Sequence, residues 1–108
     1  MAAGDVTIHH QSGRSLRGWR VITGTVQLDG SNPTPVALAS YMKTLKGAQV
    51  SLISSAAPAD DPSWLSYDIT APATLDVYAW KNTGGTDPTL VASTNNTFVV
   101  SFVAWGLA

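Results

Sequence analysis

Along most of this chain apolar residues alternate with polar ones, and the alternation breaks at short clusters of Gly, Pro, Asn and Asp. A period of two marks a strand that buries one face, because successive side chains point to opposite sides of a pleated backbone. After Gly18 the pattern sets Trp19, Val21 and Thr23 on one side and Arg20, Ile22, Val26 and Leu28 near the other; Asp29-Gly30 then signals a turn. SWLSYDIT places Leu65, Tyr67 and Ile69 on one face, and TLDVYAW opposes Leu75, Val77 and Ala79 to Asp76, Tyr78 and Trp80. A short strand follows over residues 89–93. The last run, TFVVSFVAWG, alternates Phe98, Val100, Phe102 and Ala104 with Val99, Ser101, Val103 and Trp105, so it is apolar on both faces. Such a strand belongs in the middle of the sandwich or at an interface between subunits, since an open edge of this kind aggregates.

One stretch admits two readings. In TPVALASYMKTLKG, Thr34 is a possible helix cap, Pro35 a first helical residue and Gly47 a stop after Lys43 and Lys46. The alternation of Val50 and Leu52 with Gln49 and Ser51 favours the second reading: a short strand holding Val36 and Leu38, a loop through Met42, and a strand over residues 48–54. The first 18 residues differ from the rest, being polar and glycine-containing with no sustained period. The expected organisation is therefore an extended N-terminal arm over residues 1–18 and one domain over residues 19–108. Six or seven short strands with frequent turn signals and no internal repeat predict an all-β fold, a compact antiparallel β-sandwich.

Composition strengthens the β reading and limits the chemistry. All seven acidic residues are Asp, which favours turns, and none is Glu, which favours helix interiors. A length of 108 residues suits a single core. Hydrophobic residues make up 44% and charged residues only 12%, against about 25% charged in an ordinary soluble domain. A surface so poor in charge implies cover by neighbours. The net charge of −1 gives no field to gather nucleic acid. With no cysteine there are no disulfides and no thiol or thiolate chemistry. Neither a signal-peptide run nor 18 consecutive apolar residues occurs, so no membrane association is expected.

No catalytic constellation assembles from what remains, and no metal or cofactor is expected. His9 and His10 are adjacent, so on an extended segment they point to opposite sides and are poorly placed to chelate one ion. Asp60 and Asp61 stand between Pro58 and Pro62 in what reads as a solvated turn; Asp68 and Asp76 fall on strands, where they either face solvent or pair with Lys81 or an arginine. Asn95-Asn96-Thr97 matches a glycosylation sequon but reads as a turn before the last strand, and the glycine-rich stretch at residues 83–88 lacks the lysine of a phosphate loop. Arg14, Arg17 and Arg20 hold half of the basic charge within seven residues, an arrangement suited to docking on an acidic neighbouring surface. Trp64, Trp80 and Trp105, with Tyr67 and Tyr78, are candidates for an interface or for an aromatic platform that takes sugar.

TLDVYAWKNTGGTDPTLVAS followed by TFVVSFVAWGLA, with GTVQLDGSNPTPVA and SSAAPADDPSWL before them, resembles small β-sandwich structural proteins of tailed-phage virions over roughly residues 20–106. The same halves resemble the H-type lectin sandwich, with a strand ending in tryptophan ahead of a final strand close to VSFVAWG. The first resemblance implies a capsid decoration or cement protein at the virion surface. Its partners would be copies of itself, as the homotrimer that the lectin-like sandwich implies, and the major capsid protein, with Arg14, Arg17 and Arg20 reaching a neighbour. The second implies a tail-fibre or receptor-binding module reading host carbohydrate through Tyr78, Trp80 or loop residues, with Trp105 as a further interface aromatic.

Overall fold

The computed structural model describes residues 2–11, 18–53, 62, 64–84 and 87–108. Among these residues eight strands follow one another: β1 (Val6–Gln11), β2 (Trp19–Gln27), β3 (Thr34–Ala37), β4 (Thr44–Ile53), β5 (Trp64–Thr70), β6 (Thr74–Gly84), β7 (Asp87–Ala92) and β8 (Val99–Leu107). Every pairing is antiparallel. The first sheet has the order β1-β2-β8-β4; the second has the order β3-β6-β5, with β7 also paired to β6. The fold is thus the expected all-β, antiparallel globule, with eight strands in place of six or seven.

The core lies between the sheets and follows the alternation of the sequence. Ile22, Val26, Val100, Phe102 and Ala104 come from the first sheet, Val36, Leu75, Val77 and Ala79 from the second, and all are buried. Leu28, Leu38, Met42 and Ala73 close it from the connections. β8, apolar on both sides, is an interior strand between β2 and β4. Its backbone groups are satisfied on both flanks, which removes the hazard of an open apolar edge.

The ambiguous stretch resolves as strands. β3 ends at Ala37, and the backbone N–H groups of Tyr41 and Met42 both donate to the Leu38 carbonyl, at 2.9 and 3.0 Å. That single turn is all the helical structure the Thr34-Pro35 signal yields before β4 begins at Thr44. Pro35 sits exposed on β3, an edge strand, where a missing N–H costs no ladder bond.

Part of the segment expected as an arm lies on the body. β1 pairs with β2 from Val6↔Val26 to Gln11↔Ile22, with a bulge between Ile8 and His10. Its side chains are exposed except for Ile8, which packs against the core. With its apolar alternation confined to Val6 and Ile8 ahead of the bulge, the strand offers too short a pattern to read, and hydrogen bonding to its neighbour supplies most of what apolar burial does not.

The β2–β3 connection is built around Asp29. Its Oδ1 accepts hydrogen bonds from the Ser31 N–H (2.9 Å), the Ser31 hydroxyl (2.5 Å) and the buried Thr34 hydroxyl (3.0 Å). Asn32, joined to Pro33 by a cis peptide bond, accepts from the Ala79 N–H of β6 through its Oδ1 at 2.9 Å, tying this loop to the second sheet. Burial raises the Asp29 carboxyl pKa, and the bonds from Ser31, Thr34 and its own backbone outweigh that, leaving it below the ordinary value.

Candidate functional site

The two sheets turn opposite outer faces to solvent, and these faces differ in chemistry. On the first, the pairing of β2, β8 and β4 brings Val21 and Gly47 beside Trp105, Thr23 and Gln49 beside Val103, and Thr25 and Ser51 beside Ser101. Trp19 pairs with Leu107 at one end, and Gln27 and Ile53 flank Val99 at the other. None of these positions carries a charge; Lys46, left unpaired by the bulge in β4, is the nearest in register. Trp19, Val21 and Val103 remain about 40% exposed there. His9 enters at the margin, with its Nε2 3.5 Å from the Thr25 Oγ1, over a shallow depression of about 260 Å3.

On the second sheet's outer face Trp64 of β5 stands opposite Trp80 of β6, and Ser66 opposite Tyr78. The Tyr78 and Trp80 rings are nearly parallel, 9° apart with centroids at 5.9 Å, and the Trp80 indole Nε1 donates to the Ser66 hydroxyl at 2.9 Å. That bond fixes the indole plane and satisfies its only polar group. Trp64 is 63% exposed, the most open of the large apolar side chains among the described residues. Beside it the free edges of β4 and β5 border a groove of about 550 Å3 lined by Ala48, Gln49, Val50, Ser51, Trp64, Leu65, Ser66 and Tyr67.

This face also carries acid. Asp68 pairs in register with Asp76. Asp76 is buried and accepts from the Thr70 hydroxyl at 2.6 Å, while Asp68 accepts from the Ile69 N–H at 2.8 Å. Among the described residues no group of three His, Cys, Asp or Glu side chains is arranged to hold a metal ion.

The aromatic candidates therefore divide. Trp64, Tyr78 and Trp80 come together, Trp105 lies on the opposite outer face, and Tyr67 opens into the groove. The basic candidates divide as well: Arg14 and Arg17 lie outside the described residues, as do Asp60 and Asp61. Arg20 belongs to β2, is half-buried and donates from Nη1 to the Tyr41 carbonyl, so its guanidinium holds the loop before β4. Its Nε is buried with no hydrogen-bond partner among the described residues. The sequon is a turn, as expected: the Asn95 Oδ1 accepts from the N–H groups of Thr97 and Phe98 at 3.0 and 2.9 Å.

Sequence reading did not foresee that Ser66 would lock Trp80, or that one outer face would be free of charge in its paired positions. Both follow from which strands become neighbours, and strand order is not encoded in any one strand's alternation. Comparisons with protein-family models, curated proteins and solved structures return no match.

Proposed function

We propose that this chain is a structural protein of a tailed-phage virion, a decoration or cement protein that packs on the capsid shell as an oligomer and stabilises it by burying surface. The observation that carries the reading is the pair of opposite outer faces, each with large apolar side chains in water: Trp19, Val21 and Val103 on one, Trp64 and Leu90 on the other. A bridging protein needs two such surfaces, one for its own copies and one for the shell. Tryptophan and tyrosine give the most contact area for the least conformational entropy, and interface centres are depleted in charge. Arg14 and Arg17, which fall between β1 and β2 in the sequence, are the proposed contacts to an acidic patch of the major capsid protein.

The test is cosedimentation of the purified chain with shells that lack it. Saturable attachment at a fixed number of copies per shell supports the reading; a chain left in the supernatant at every concentration removes it.

A second reading is favoured by the Trp64–Tyr78–Trp80 surface, where fixed aromatic planes lie beside the hydroxyl of Ser66 and the polar groups of the groove. That combination suits a carbohydrate, whose C–H faces stack on rings while its hydroxyls take polar partners. It predicts a receptor-binding module, and glycan binding lost on Trp64→Ala is its test.

A further inference from the structure

The outer face of the β1-β2-β8-β4 sheet combines three properties. It is large: β2 and β8 are nine residues each in a four-stranded sheet, which at roughly 3.3 Å per residue and roughly 4.8 Å per strand gives a plane about 30 by 19 Å. Two such planes in contact remove on the order of 1,100 Å2 before side-chain relief is counted, which reaches the roughly 1,000 Å2 that a specific interface needs. It is poor in charge: its outward positions on β2 and β8 carry none and β4 adds only the exposed Lys46 at its bulge, so an oppositely charged partner finds little there to pair with. It is compatible with itself, because the hydroxyls of Thr25, Ser51 and Ser101 both donate and accept and so can bond to their own kind, with Val21, Val103 and Trp105 beside them for apolar contact.

The second sheet lacks this compatibility. Its outer face carries the exposed Asp68, with the buried Asp76 opposite it, and stacking two copies through it would bring negative charge towards negative charge.

We infer that the outer face of the β1-β2-β8-β4 sheet is covered in solution by the same face of a second copy, in a two-fold pair. A patch that matches itself forms an isologous contact, which closes at two copies, whereas a ring of three joins two different surfaces of each chain. The pairing specifies the self-association on which the proposed function rests, and it leaves the second sheet for the shell. In place of the homotrimer expected from sequence, the face assigns an even number of copies.

The test uses the full chain and three measurements. Light scattering should give twice the 11.3 kDa of one chain. Val103→Lys, at the middle of β8 on an already exposed position, should raise the concentration for half-dissociation at least a hundredfold while the circular dichroism spectrum stays that of the parent. Val103→Cys, in a chain with no other cysteine, should be bridged to a two-chain product by a short bismaleimide. A single-chain mass for the parent overturns the inference, as does a mass of three copies that Val103→Lys leaves unchanged, or the absence of bridging by Val103→Cys. Shell attachment enters separately. A Val103-sensitive pair that ignores shells supports the inference and removes the proposed function. A single chain that binds shells through Val103 overturns the inference and keeps that function.

Discussion

The indole of Trp105 lies across Gly47: a Cβ at that glycine would stand 2.6 Å from its Cε2, Cζ2 and Nε1. The two residues are cross-strand partners on β8 and β4, beside the bulge at Lys46. Trp105 is held against the sheet because its neighbour has no side chain. This flattens the first outer face near its Leu107 end, where a bulkier partner would lift the ring into solvent.

Gly47→Ala tests that relationship. The methyl has to displace the ring, so the variant should lose about 1–3 kcal/mol of stability, the usual cost of overpacking. Urea unfolding reads the loss, and a red-shifted tryptophan emission reads the displaced indole.

Gly24 plays the corresponding part on the inner face. A Cβ there would come 2.4 Å from the Thr7 carbonyl oxygen and 3.0 Å from the Phe102 Cζ. Backbone is less forgiving than a side chain, so Gly24→Ala should push β1 off β2. Amide exchange at residues 6–11 should accelerate more than exchange in β8, since an edge strand opens locally before the core does.

Much of this arrangement is legible in the sequence. The alternation in β6 and β8 marks Leu75, Val77, Val100 and Phe102 as core, and Asp29-Gly30 marks a turn; each is where the structure has it. What escapes notice depends on neighbours. β1 is hidden because its apolar alternation is limited to Val6 and Ile8, and the division of the aromatics between two faces follows from β8 pairing with β2 and β4 while β6 pairs with β5. Arg20 reads as part of a basic cluster, and only the approach of the Tyr41 carbonyl places its guanidinium within the fold.

Ala71, in the β5–β6 turn, has a φ of 52°, a left-handed conformation in which its Cβ crowds the backbone. Ala71→Gly should remove that crowding and stabilise the chain by on the order of 1 kcal/mol, a gain partly offset by the greater freedom of glycine in the unfolded state. A higher melting temperature for the variant is the expected result.

Acid should weaken the β2–β3 loop. The Asp29 carboxyl titrates lower folded than unfolded, so it contributes stability above its unfolded value of about 3.9 and loses it as the pH falls through the lower folded value. Asp29→Asn should therefore be less stable than the parent at pH 7, and the difference should close towards pH 2. Paired urea titrations at the two pH values check it.

Trp64 and Phe102 should behave oppositely on truncation. Phe102 is buried among core residues, and Phe102→Ala should cost about 3–5 kcal/mol. Trp64 stands in solvent, and Trp64→Ala should stay within about 0.5 kcal/mol of the parent. Chemical denaturation of the two variants side by side shows whether the outer aromatic is kept for contact or for folding.

The central claim is that the chain stabilises a shell by covering it, and the most direct measurement is the melting temperature of decoration-free shells titrated with purified chain. The account predicts a rise that levels off at the stoichiometry where attachment saturates. Shells that bind the chain in full and still melt at their original temperature would contradict it.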